Sequence, residues 1–331
     1  MKNIKKYPWT KALFVLLVTL TVASCKDKVY EIPGAKSGLQ TDVLKRSLGP
    51  NVVGTAIEFV FAAAILPEEG RIAELSVEAS IPGAAKTYLE HRTFEPSGSG
   101  EVATVVGTPA VNEVNRTTVT LTRDTAAVAL RYYYFIPEEA RGKTVKFTFH
   151  AKTKDGKTAS YEMGPYEVRM MDMALDLVAT DAQKCYISIE DMKVYNAAEI
   201  AAAPQKADLV YLYRALTNVT FAHALVAPSA DPIYLPGVTL PTGVNNRTKI
   251  IKAWTVRDQQ LARLQYGVFV DDIDLRERTF VDAPDFAINV RNEGGVWVET
   301  ADGRYRAYVY INAINPTAKT MTVSIKRLKV K

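Results

Sequence analysis

The residues of this chain whose types and spacing most suggest chemistry lie near its C-terminus. With Asp302-Gly303 as a two-residue turn, Glu299 pairs with Arg306 and Trp297 with Tyr308, while Val298 faces Ala307 and Val296 faces Val309. The small aliphatic residues, continued by Ile311, then form one face of the hairpin. Trp297, Tyr308 and Tyr310 fall on the other, together with Glu299, Arg304 and Arg306. Aromatic rings beside charged hydrogen-bonding groups suit sugars: the apolar C–H face of a pyranose stacks on a ring while its hydroxyls need donors and acceptors. Trp297, Tyr308 and Tyr310, with Glu299 and Arg306 as polar partners, are therefore the candidate glycan-binding residues. The alternative is that a neighbouring sheet, helix or domain covers these rings.

Other constellations are weaker. The three histidines, His91, His150 and His223, stand far apart, and none has the spacing of a metal-binding helix such as H-E-x-x-H. His223 shares a strand face with Val219, Phe221 and Leu225, which favours a core histidine. Asp271-Asp272-Ile273-Asp274 could offer oxygens to calcium but lacks the glycine and distal glutamate of an EF-hand loop. Clustered aspartates of this kind are more often turn formers. No G-x-S-x-G elbow and no G-x-G-x-x-G precedes a helix. Glycoside hydrolysis needs only two carboxylates at a suitable separation, and nothing marks a particular pair among the acidic residues. No catalytic residue, cofactor or metal site is assigned.

Cys25 carries a different chemistry. Lys2, Lys5, Lys6 and Lys11 precede the apolar run Ala12–Val18, which fades through Thr19 and Thr21 into Val22-Ala23-Ser24-Cys25. The run is short for a membrane span, which needs about 20 apolar residues, and suits the h-region of a secretory signal. The small residues before Cys25 resemble the bacterial lipobox, where cleavage leaves the cysteine thiol to carry diacylglycerol. The competing readings are an ordinary cleaved signal and an uncut anchor. Residues 1–24 are thus expected to be a signal peptide and Cys25 the point of lipid attachment to the outer membrane.

Beyond the leader, the 331-residue chain exceeds one ordinary domain, and 48% of the full sequence is hydrophobic, enough to bury a sizeable core. The net charge of +5 is misleading, because four positive charges are leader lysines and the mature chain stands near +1. That speaks against nucleic acid as a partner, which would need a clustered basic face. Only two cysteines are present. With Cys25 lipidated, Cys185 has no partner, and in its strand-like run it reads as a small buried residue.

These residues must be positioned by β-structure. Residues 25–49 are expected to form a lipid-anchored tether ending in a short helix over Thr41–Gly49, with Thr41 as cap and Gly49 as stop. Leu75, Val77 and Ala79 alternate with polar residues, as in a half-buried strand. The run Val128–Ile136 is apolar or aromatic almost throughout and predicts a central strand covered on both faces. Around Asp155-Gly156, a three-residue loop (Lys154-Asp155-Gly156) pairs Ala151 with Ala159, Phe149 with Tyr161 and Phe147 with Met163. A two-residue turn would mix core and solvent faces, so the three-residue loop is preferred, with Gly156 in the left-handed position. His150 then lies on a polar face. Pro96-Ser97-Gly98-Ser99-Gly100 reads as a plain flexible turn. Asn196 and Glu199 have capping-box spacing, a helix is predicted over Val256–Tyr266, and the phase of the last strand shifts near Lys326-Arg327, suggesting a bulge. The expected fold is mainly β: two β-sandwich-like domains, 50–171 and 172–331, with a few short helices.

Cys25-Lys26-Asp27 resembles the start of Bacteroidetes lipoproteins, in which lysine and acidic residues after the lipidated cysteine act as a surface-display signal. Lys28 stands where a second acid is usual. The segment Cys185–Asn196 (CYISIEDMKVYN), followed by Lys206–Tyr211 (KADLVY), is similar to a recurring motif of gut-Bacteroidetes lipoproteins of unknown function. Relatives of that type accompany starch-utilisation-like importers. The resemblance therefore implies a cell-surface, non-catalytic protein that binds glycan beside an outer-membrane transporter complex, and it transfers no functional residues. A surface adhesion or structural lipoprotein binding protein or matrix is the alternative, and an unrecognised hydrolase a third. An exposed aromatic cleft favours the first, a broad apolar patch the second, and facing buried carboxylates in a deep cleft the third.

Overall fold

The computed structural model describes Gly34 and residues 36–331. The predicted signal peptide, Cys25 and most of the predicted tether lie outside the described residues. The described residues are mainly β, in antiparallel strands joined by turns, irregular segments and a few short helices.

The first half packs two sheets face to face. One has the order β1 (Gln40–Lys45), β2 (Ala56–Ala64), β9 (Ala127–Phe135), β4 (Tyr88–Leu89). The other runs β11 (Thr158–Glu167), β10 (Thr144–Thr153), β3 (Ile72–Ala79), β8 (Arg116–Thr120), β7 (Val111–Asn112). Alternate residues point inward, as the strand period requires. Phe59 and Phe61 of β2 meet Phe147 and Phe149 of β10 edge to face, with ring centroids 5.0–5.2 Å apart. The hairpin of β5 (Arg92–Ser97) and β6 (Gly100–Val105) pairs only with itself.

The second half repeats the arrangement. One sheet is β12 (Met171–Thr180), β21 (Thr320–Lys329), β20 (Tyr305–Asn315), β19 (Gly295–Glu299), β17 (Lys249–Ala253). It faces β14 (Lys193–Asn196), β13 (Lys184–Ser188), β15 (Leu209–Leu216), β16 (Val219–Val226), β18 (Phe286–Ala287). Val296, Val298, Ala307, Val309, Val323 and Ile325 meet Ile187, Leu209, Tyr211 and Leu225 in the core between them. Among the described residues three short α-helices complete the fold: α1 (Ala197–Ala201), α2 (Gln259–Ala262) and α3 (Asp272–Glu277). The Asn196–Glu199 capping box is present as expected.

Strand parity proves a sound guide to register. All the pairs expected for the Lys154–Gly156 hairpin and for the C-terminal hairpin are found, and Gly156 is left-handed at φ +88°. Four expectations fail, each for a physical reason. Thr41–Gly49 is not helical: β1 pairs residue by residue with β2 and buries Val43. An isolated helix of that length is below the size at which nucleation is recovered, whereas the β2 edge offers ready hydrogen bonds. The helix predicted over Val256–Tyr266 shrinks to α2, because Arg263 turns left-handed and ends it. In β9 only Val128, Leu130, Tyr132 and Tyr134 enter the core, and Ala129 is exposed on the far face. The last strand keeps its register through Lys326, the bulge lying instead opposite it on β20, between Ile311 and Ala313.

Lys326 breaks the hydrophobic phase for another reason. The β12–β17 sheet is covered on both sides, and its far face carries a third layer made by residues 254–283. Trp297, Tyr308, Tyr310 and Leu328 pack there against Leu261, Val270, Leu275 and Phe280, joined by Val52 from the first half. Within this layer Lys326, 0% exposed, donates to Asp258 Oδ2 at 2.6 Å and to the Val270 carbonyl at 2.8 Å. Asp258 in turn accepts from the amides of Leu261 and Val270. Burial pulls the Lys326 ammonium down from its usual range, and the Asp258 carboxylate opposes that pull.

Candidate functional site

The third layer decides the fate of the C-terminal aromatic face. The sequence brings its residues together as expected: Trp297 and Tyr308 lie 4.6 Å apart by ring centroid, and Arg306 Nη2 reaches Glu299 at 2.9 Å. Yet Trp297, Tyr308 and Tyr310 are 4%, 0% and 2% exposed. The Arg278 guanidinium lies 4.2 Å over the indole, the Tyr308 hydroxyl donates to the Val256 carbonyl at 2.5 Å, and Arg306 spends its remaining donors on the carbonyls of Leu275 and Arg276. The expected glycan platform is thus an inner face, and its polar partners are satisfied within the chain. Coverage by 254–283 is the covered-ring alternative raised by the sequence.

The remaining sequence candidates resolve simply. Asp271 caps α3, accepting from the Ile273 and Asp274 amides in a capping box with Asp274, and the aspartate run is a helix start. Among the described residues no group of three His, Cys, Asp or Glu is placed to hold a metal ion. His150 sits half-buried between Ser76 and Ser160 in register. His223 is buried, its Nδ1 2.8 Å from the Tyr211 hydroxyl and its Nε2 without a hydrogen-bond partner. Burial lowers its pKa, so it is a neutral core residue. Burial likewise pushes the Cys185 thiol up to about 11, the opposite of a reactive cysteine.

The concave sites among the described residues include a wide groove and a small polar pocket. The larger is a groove of about 690 Å3 between the β5–β6 hairpin and the outer face of the first sheet. Its floor is flat because small residues meet in register, Ala62 opposite Ala129 and Ala64 opposite Ala127. Its wall is Thr93, Phe94 and Glu95 of β5, and Arg123, Asp124 and Thr125 also line it. Arg131 of β9 fastens the wall, lying 4.1 Å over the Phe94 ring and bonding Glu101 of β6 at 2.5 Å. Asp124 bonds Lys154 at 2.5 Å and Arg71 at 3.1 Å, and these hydrogen bonds hold its carboxyl below the usual range. The sequence hid this site because the hairpin reads as a turn. The available signal was the pair of alanine runs on outward positions, which gains meaning only once β2 and β9 are known to pair.

The smaller site is a polar pocket of about 130 Å3, where the Glu190 turn, the start of β15 and the tip of the C-terminal hairpin meet. Asp208 is buried there, accepting from the Ile189 amide at 2.7 Å. Burial, then Asp302 and Glu190, push its carboxyl up to about 7 against the pull of the Ile189 and Glu190 amides. For Asp302 burial also disfavours the charge, but hydrogen bonds from Arg304 and Thr300 outweigh it and hold the carboxyl at about 2. An acid whose folded-state value lies above its unfolded one keeps a proton that the unfolded chain has released. Its contribution to stability is therefore full below about pH 4 and is lost as pH rises through about 7. Asp208→Asn is expected to remove this loss, worth on the order of a few kcal/mol between those limits. Urea unfolding at pH 5 and pH 8 reads it directly, and a variant that keeps the wild-type slope would refute the assignment.

Residues 36–168 match the family model DUF4466, a domain of unknown function, and residues 169–330 match DUF8576, another domain of unknown function. No curated protein matches the chain. A crystal structure of a DUF4466 family protein from Parabacteroides merdae ATCC 43184 is 40% identical, covering 89% of this chain and 99% of that one at a TM-score of 0.82. The major pilin subunit BcpA of Bacillus cereus is 12% identical, covering 46% of this chain and 49% of that one, and its TM-score of 0.28 carries no argument. Identity of 40% along nearly the whole of both chains, with the same β-rich fold, shows that this protein belongs to the DUF4466 family.

Proposed function

We propose that this protein is a lipid-anchored, non-catalytic glycan binder of the outer-membrane surface, accessory to polysaccharide uptake through a transporter complex. The groove under the β5–β6 hairpin carries the reading. Its volume falls in the range of about 300–1,000 Å3 that ligand sites occupy. The methyl floor lets a flat ring approach closely, Phe94 offers an aromatic edge, and Thr93, Glu95, Arg123 and Asp124 supply hydroxyl-matching donors and acceptors. The signal-like leader and Cys25 supply the address.

Affinity electrophoresis against a panel of neutral polysaccharides tests the groove. Phe94→Ala is expected to weaken retention several-fold through the loss of its aromatic edge, while the hairpin stays fastened through Arg131 and Glu101. Equal retention of variant and wild type on every retaining polysaccharide would remove the groove from consideration. In the same cells Cys25→Ala should release the protein from the membrane fraction, and continued membrane residence would refute the lipid anchor.

A further inference from the structure

One aromatic ring of the second half is exposed in a way the fold does not require. Trp254 follows β17 directly and is 57% exposed. An indole costs free energy when left in water, and Trp297 on the adjacent strand β19 shows that the same sheet can cover one almost completely. Trp254 is instead set among cations. Lys252 Nζ lies 3.8 Å from the ring centroid and is fixed there by the carbonyls of Ile288 and Asn289, the latter at 2.9 Å. The Arg291 guanidinium lies 5.9 Å from the same ring.

These charges are not neutralised. Among the described residues no carboxylate lies within 4 Å of Lys252 or Arg291. The nearest acid in sequence, Glu293, is taken by Arg257. Burial and then the Arg291 charge pull the Lys252 ammonium down from its usual range, as expected for two cations held together without a counter-ion. An incoming anion would relieve that repulsion, so the site gains more from a carboxylate than an isolated lysine would.

We propose that Trp254, Lys252 and Arg291 form a second binding site, selective for acidic sugars such as uronate residues. A uronate joins the two features the site presents: a flat C–H face to lie on the indole and a carboxylate at the ring edge to meet the cations. An acidic peptide offers the carboxylate without the flat face. The choice of a sugar rests on the glycan-binding reading, but the site is separate from the groove and uses none of its residues.

Isothermal titration of the full-length protein in detergent, with galacturonate oligomers against neutral galactose oligomers of equal length, tests it. The uronate is expected to bind and to weaken as salt rises. Trp254→Ala should reduce uronate affinity about tenfold, Trp254→Phe should keep most of it, and Arg291→Gln should weaken binding several-fold and flatten the salt dependence. Saturation of the groove with a neutral oligomer should leave the uronate signal in place. Uronate affinity unchanged by Trp254→Ala, no uronate binding, or equally tight binding of polyglutamate would each overturn the proposal. If no neutral chain binds at all, the groove reading fails while the uronate titration still reports on Trp254.

Discussion

Replacing Lys326 with methionine is expected to cost about 3–5 kcal/mol of stability, the range for removing one partner of a buried ion pair. The loss comes less from the missing attraction than from what remains. Asp258 would be left without its cation in a site 0% exposed, with only the Leu261 and Val270 amides to support it. The Val270 carbonyl would also lose its donor. Asp258→Asn combined with Lys326→Met removes both charges and should recover most of the loss, because a well-packed neutral pair is often no less stable than a buried ionic one. Chemical denaturation of the single and double variants measures this. A double variant no more stable than Lys326→Met alone would show that the residues act independently.

The second large effect is expected from Trp297→Ala, about 3–5 kcal/mol as for other buried aromatic truncations. The indole fills the centre of the third layer, between Arg278 on one side and Tyr308 on the other. Its removal leaves a cavity where the indole met Arg278 and Tyr308. Thermal unfolding of the variant settles the matter. An exposed stacking ring would cost little when removed, so an unchanged melting temperature would restore the ligand-facing reading of this hairpin.

The contrast between this hairpin and its cover shows what sequence could and could not supply. Parity along Trp297–Glu299 and Arg306–Tyr310 was enough for register and for which side chains share a face. The covering segment has no such signal. Residues 254–283 are mostly irregular, held by α2, α3 and the Asp258 hydrogen bonds rather than by periodic burial. The clue was Lys326, which looked like a slip in the strand and is in fact an inward cation calling for an inward anion. The same limit explains β1: Thr41 and Gly49 punctuate a helix locally, and only the open edge of β2 makes the strand the better choice. The groove needed two strands to be aligned before its alanine floor could appear.

The position of Lys326 on the last strand also bears on the order in which the chain can fold as it is made. The strands of the first sandwich all end by Glu167, so that core can close while the rest is still emerging. The second half cannot do the same. β12, its first strand, pairs only with β21, its last, and Asp258 waits for a partner 68 residues downstream. At about 5–20 residues per second, that wait lasts roughly 3–14 s. Until the last strand arrives, Asp258 lacks the cation that anchors the third layer, and Leu328 is missing from that layer's core. A chain cut short near residue 319 would therefore be a sound first sandwich joined to a half whose buried Asp258 has no counter-ion.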